Sequence, residues 1–230
     1  EDETVKTSFK RAVSKLAAQV AEADPVRGPE LIGSLDDWRV GESLLRGRFH
    51  EYTTLEGYCK DRIPDIGWGV LQECAIFGSG IDITMHERKS ADQVFEPLYQ
   101  QGVYGNDLLS WDKEIDAHQR TGERLINSVV LLQRWHGMTV EEAKAALKQK
   151  ALECDKEYQR RKEEFFQSPT SPSMRWWFHI VESIAAAGQI WHMFSYRHQD
   201  PHGSGYMDYF QKRSREGAFR QKMMTVIRIT

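Results

Sequence analysis

Cysteine is scarce in this chain and badly spaced for cross-linking. Cys59, Cys74 and Cys154 are the three cysteines in 230 residues, and no two form a CxxC pair. That pattern argues against a disulfide framework or a cysteine zinc site, and it reads as the reduced thiols of a cytoplasmic protein. Long apolar runs are also missing. The most apolar stretch, 180–190, is broken by Glu182, Ser183 and Gln189, so no bilayer-spanning segment is expected. No charged-then-apolar leader opens the chain, and no secretion signal is expected. Charge of one sign is not in excess either. The net value of −3 gives no basic field for general nucleic-acid binding. Period-two alternation is nearly absent, as are repeats and low-complexity segments, which leaves little room for a sheet or a solenoid.

What remains is an ordinary globular balance, 40% hydrophobic and 28% charged, with one domain's worth of length. The segments read as amphipathic helices. In 4–23, Val5, Phe9, Val13, Leu16, Ala17 and Val20 form one stripe, ended by the Pro- and Gly-bearing run 24–29. A second helix runs from about Glu30 to Phe49. A third starts at the capping-type sequence Thr53-Thr54-Leu55-Glu56. Pro64 and Gly67 interrupt it, either as a kink or as a plain boundary between two helices. The stretch 68–83 is apolar on most faces and is expected to be a buried central helix. Its Gly69, Gly78 and Gly80 are expected to permit close backbone approach. Helices are expected at 90–115, 121–135, 139–166 and 173–198, with Thr139-Val140-Glu141-Glu142 as another capping-type start.

One of these helices carries a distinctive stripe. Asn106, Ser110 and Glu114 present an amide oxygen, a hydroxyl and a carboxylate at i, i+4 and i+8. At about 100° per residue those steps drift by only about 40° and 80°, so all three share one face. Glu114, nearest the C-terminal end, leans back toward Ser110. Three oxygen donors on one face suit a Mg²⁺ ion that completes its shell with water and phosphate. The other reading is an exposed polar stripe on an ordinary helix.

The surrounding sequence resembles class I terpene synthases over about residues 30–200. Asn106–Glu114 looks like the family's NSE metal motif, and Lys113 falls where relatives carry a diphosphate-contacting Lys. The segment 54–67 is similar to the one carrying the diphosphate-sensing Arg, which Arg62 matches. The segment 188–198 looks like the helix that ends in an Arg-Tyr pair. Arg197 matches the Arg, but His198 stands where Tyr is usual. The likeness is strongest to fungal cyclases, including the cyclase halves of chimeric di- and sesterterpene synthases.

This resemblance implies an all-α class I (isoprenoid synthase) bundle. It implies Mg²⁺-dependent ionisation of geranylgeranyl, farnesyl or geranylfarnesyl diphosphate, followed by cyclisation. Asn106, Ser110 and Glu114 would hold one metal ion of the three expected in a complete enzyme, and Arg62, Lys113 and Arg197 would bind the diphosphate. Phe49, Gly67, Trp68, Phe77, Trp191 and Tyr196 would line the hydrocarbon site, with His192 and His198 as possible proton acceptors. The family's Asp-rich metal motif is not found, because Asp36-Asp37 has no acidic residue three or four positions on and sits too far along the chain. The bundle, residues 1–202, is therefore expected to lack its first helices and to be weak or inactive alone. Residues 203–230 are read as a basic tail or linker, solvated or covering an anionic site. A prenyltransferase domain in a longer parent chain and a homo-oligomer are the partners considered. The rival readings are a prenyltransferase-like enzyme, a degenerate isoprenoid-diphosphate binder, and a non-enzymatic helical interaction domain.

Overall fold

The computed structural model describes residues 3–195, and among them every regular element is helical. In chain order these are α1 (Glu3–Ala23), α2 (Arg27–Arg48), a 3-10 turn (Phe49–Glu51), α3 (Leu55–Asp65), α4 (Trp68–Ser79), α5 (Met85–Ser90), α6 (Asp92–Thr121), α7 (Ser128–His136), α8 (Val140–Phe165) and α9 (Pro172–Phe194). The all-α architecture expected from the hydrophobic pattern is the one observed.

The 30-residue α6, about 45 Å long at 1.5 Å per residue, is the central element. Its second half shares a core with α3, α7 and α8, built on Tyr58, Val103, Trp111, Val129 and Leu147. Its first half shares another with α4, α8 and α9, built on Trp68, Phe95, Tyr158, Phe178 and Val181. Packing in both cores holds α6 in place, although Pro97 removes one bond from its backbone ladder.

Helix ends follow local chemistry, and this corrects several expected boundaries. α8 begins as its sequence suggests, with a reciprocal Thr139–Glu142 capping box. For α3 the cap sits one residue later than expected. Thr54 accepts from the Gly57 amide, so Glu56 is not the reciprocal partner. Between α3 and α4 the chain makes a boundary between two helices. Gly67 at φ 81 takes the left-handed turn that lets α4 start afresh. The expected helix at 121–135 starts later, because Gly122 caps α6 and Asn127 caps α7, leaving 122–127 as a loop. Likewise 68–83 ends at Ser79, and the short α5 precedes α6 behind its own Thr84–Glu87 capping box.

Two packing expectations are also corrected. α4 is buried only at Trp68 and Ile76, while Leu71 is 48% exposed. Val70 and Leu71 border an open cavity, while the rest of the helix packs against α2 and α9. A Cβ on Gly69, Gly78 or Gly80 would meet nothing within 4 Å. Close approach occurs instead at Gly41 of α2, where a Cβ would lie 2.9 Å from Pro64 Cβ. The stripe of α1 is incompletely covered, with Val13 and Leu16 exposed.

Candidate active site

A cavity of about 930 Å³ opens between α2, the α3–α4 junction, α6 and the end of α9. One wall is polar, with Arg62, Asn106, Ser110, Lys113 and Glu114. The lining also includes the apolar side chains Ile66, Val70, Leu71, Ile184 and Trp191. Gly67 at the α3–α4 boundary also lines it, as do Arg46 and Arg124.

The helical register of α6 brings the oxygen stripe to this wall. Ser110 donates to Glu114 Oε1 at 2.7 Å, the backward lean that side chains take along a helix. Asn127 donates to Glu114 Oε2 at 3.0 Å and to the Asp107 carbonyl at 2.9 Å. The same residue caps α7, its side-chain oxygen accepting from Val129 N at 3.0 Å. One buried amide thus joins a helix start to the carboxylate. Burial, and next the negative charge of Asp107, raise the Glu114 pKa above its ordinary value, against the pull of the Asn127 and Ser110 hydrogen bonds. A carboxylate so placed is short of positive charge.

Arg62 reaches the same wall from the last turn of α3. Its Nη2 donates to Asn106 Oδ1 and to Asp107 Oδ1, each at 3.1 Å, and its Nη1 is paired with Asp65. Its Nε is buried without a hydrogen-bond partner. Asp107 is 0% exposed and fully engaged. Its Oδ2 accepts from the Tyr58 hydroxyl at 2.8 Å, Ser128 N at 2.8 Å and Ser128 Oγ at 2.7 Å. Such saturation is what makes a buried ion pair tolerable. The guanidinium is therefore anchored at one end and holds an unmet donor.

Asp65, Asp107 and Asn127 were not singled out in the sequence. Asp65 stands three residues after Arg62, a helical ion-pair spacing that was there to be read. Asp107 lies one residue off the stripe, so the periodicity that exposed Asn106 passed over it. Asn127 carried only a capping signal.

Of the residues expected at the site, Arg62, Gly67, Asn106, Ser110, Lys113, Glu114 and Trp191 line this one cavity. Trp191, 60% exposed, stands at its mouth, and His192 lines it too. Trp68 is placed elsewhere. It is a core side chain tilted on Tyr99 at 5.1 Å and borders a separate cavity of about 280 Å³. The reason is a gap at Gly102, where a Cβ would lie 2.8 Å from the Trp68 ring. Phe49 and Phe77 line neither cavity, and Phe49 is buried in the core against Tyr58. Tyr196, Arg197, His198 and the basic segment 203–230 lie outside the described residues.

Chemically, the wall offers an amide oxygen, a hydroxyl and one carboxylate, the hard donors that Mg²⁺, Mn²⁺ or Ca²⁺ accept. Among the described residues, no group of three or more His, Cys, Asp and Glu side chains is placed to hold a metal. A softer, nitrogen- or sulfur-rich metal centre finds no support there. None of the described helices is long and apolar enough to cross a membrane. The cysteines are free thiols, and burial pushes Cys59 up to about 12.

Comparison with known proteins agrees with this geometry. The family described as terpene synthase family 2, C-terminal metal binding, matches residues 9–157. The chain is 35% identical over 217 residues to the terpene cyclase-like protein flvF of Aspergillus flavus, covering 92% of this chain and 59% of that protein. It is 29% identical over 187 residues to the sesterterpene synthase btcA of Colletotrichum orbiculare, covering 80% and 26%. With the conidiogenone synthase of Penicillium roqueforti it shares 27% over 202 residues, covering 86% and 27%. The chain therefore spans less than two thirds of each of these relatives.

Proposed function

Because this chain belongs to the terpene synthase family, we propose that its cavity binds a linear isoprenoid diphosphate together with Mg²⁺ and ionises it for cyclisation. The observation that carries this reading is the shared wall, where Asn106, Ser110 and Glu114 stand beside a buried Arg62 with an unmet donor. The donor set fits the metal. Glu114 gains the positive charge that its burial denies it, and Asn106 and Ser110 contribute neutral oxygens.

Bound there, Mg²⁺ would neutralise the diphosphate and so make it a leaving group. Arg62 suits the same anion, because its planar fork matches phosphate oxygens and keeps its charge. Its Nε has no hydrogen-bond partner, while Asp65 and Asp107 hold the rest of the fork in place. Lys113, on the same wall, adds a further cation. These groups stabilise negative charge as the carbon–oxygen bond breaks, leaving an allylic cation and diphosphate. The apolar lining of Ile66, Val70, Leu71 and Ile184 then keeps water from that cation. An aromatic face such as that of Trp191 stabilises a cation by about 0.5–2 kcal/mol without attacking it. Proton loss to diphosphate would give a hydrocarbon, and capture of water an alcohol.

The name of the sesterterpene synthase relative favours a long-chain substrate, in keeping with the roomy cavity. With one oxygen-ligand set among its described residues, the chain is expected to bind Mg²⁺–diphosphate and to turn over weakly, if at all. Calorimetric titration of inorganic pyrophosphate into the 230-residue chain tests this. Heat of binding is expected only with Mg²⁺, is lost in Glu114→Gln, and is at least about tenfold weaker in Arg62→Ala. Equal binding without Mg²⁺, or in Glu114→Gln, contradicts it.

A further inference from the structure

An amide is an ambiguous ligand, because its oxygen binds a cation and its nitrogen does not. Something must therefore decide which way Asn106 faces. Its Nδ2 lies 2.7 Å from Nε2 of His192, a residue in the last turn of α9 and 86 positions away in sequence. His192 Nδ1 in turn lies 2.6 Å from the Gly188 carbonyl, one helical turn back.

The hydrogen positions follow from what each group can do. A carbonyl only accepts, so His192 Nδ1 carries the hydrogen, and in that tautomer Nε2 holds a lone pair. That lone pair accepts from Asn106 Nδ2, which turns Oδ1 to the other side. The far side gives the same answer independently. Oδ1 there accepts from Arg62 Nη2 at 3.1 Å, and a flipped amide would set donor against donor. Both neighbours thus fix one orientation, and only His192 does so without competing for the oxygen.

We propose that His192 is a positioning residue, holding the Asn106 amide so that its oxygen faces the metal site. The proposal rests on the metal reading given above. It ties α9 to α6 at the ligand itself, so the last helix acts on metal affinity without contributing a ligand. Nothing in the sequence pointed to this pairing, since His192 stood out there only as a possible proton acceptor.

Two substitutions separate positioning from packing. In His192→Gln the side-chain oxygen reaches the place of Nε2 and can still accept from Asn106. In His192→Asn the amide nitrogen reaches the place of Nδ1, keeps the Gly188 contact, and leaves Asn106 without an acceptor. Free Mn²⁺ is followed by electron paramagnetic resonance as it is titrated into each protein with inorganic pyrophosphate, and thermal unfolding is followed alongside. His192→Asn is expected to bind Mn²⁺ about 10- to 100-fold more weakly, and His192→Gln to stay within about threefold of the parent, as for other partners of metal ligands. Unfolding midpoints of the two variants should be similar. If Glu114→Gln loses Mn²⁺ but His192→Asn binds like the parent, the proposal fails and the metal site stands. If the Asn and Gln variants lose affinity equally, His192 is a packing residue and the proposal also fails. If Glu114→Gln itself binds Mn²⁺ like the parent, the metal reading is wrong and the proposal falls with it.

Discussion

Glu114 carries the tension of the site. Buried beside Asp107, it holds its proton more tightly in the folded protein than in the unfolded chain. Without metal, folding stability should therefore fall as pH rises from the ordinary glutamate value of 4.5 toward the raised one, because ionising a desolvated carboxylate opposes folding. Metal binding should run the other way, weakening as pH falls through the same window while protons compete for the ligand. Glu114→Gln keeps groups able to pair with Ser110 and Asn127. Its thermal midpoint without metal at neutral pH should equal or exceed that of the parent. A clear drop in midpoint would show that the charge stabilises the fold, against this account. The stripe that contains Glu114 was legible because a helix returns to one face every three to four residues. Asp107 was not, since its role depends on Tyr58 and Ser128, residues 49 and 21 positions away.

At the scale of elements, the α3–α4 boundary sets where Arg62 points, and α2 holds that boundary. Trp38 of α2 donates to the Asp65 carbonyl at 2.7 Å, and Gly41 lets the two backbones touch. Gly41→Ala would put its Cβ 2.9 Å from Pro64 Cβ and 3.3 Å from Asp65 N, neither of them a flexible group. Overpacking of this kind costs about 1–3 kcal/mol. A denaturant midpoint lowered to match, with weaker pyrophosphate binding, is expected. An unchanged midpoint would show that α2 does not hold the boundary. Pro64 and Gly67 announced a break in the sequence, and the break exists. Which kind of break it is depended on the conformation of Gly67 and on α2, which local sequence does not encode. The helices at 121–135 and 68–83 were misplaced for a related reason. Left-handed caps at Gly122 and Gly80 stop a helix whatever the hydrophobic pattern suggests.

At the scale of the molecule, α6 draws charge chemistry and hydrocarbon shelter into one cavity. It passes through both hydrophobic cores, so the residues it presents to the cavity are held by packing before any ligand arrives. Hydrophobic periodicity was enough to indicate an all-α domain, and three short motifs were enough to suggest its family. Composition could not say which aromatics face the cavity, because Trp68 and Trp191 look alike in a helical pattern and only packing separates core from mouth. The central claim is that Asn106, Ser110 and Glu114 bind one divalent cation next to Arg62. An anomalous difference map from crystals grown with Mn²⁺ and pyrophosphate tests it most directly. The account predicts a peak about 2.0–2.3 Å from an oxygen of each of the three side chains, with the Arg62 guanidinium donating to the pyrophosphate. A peak that misses Glu114, or pyrophosphate bound away from Arg62, would contradict it.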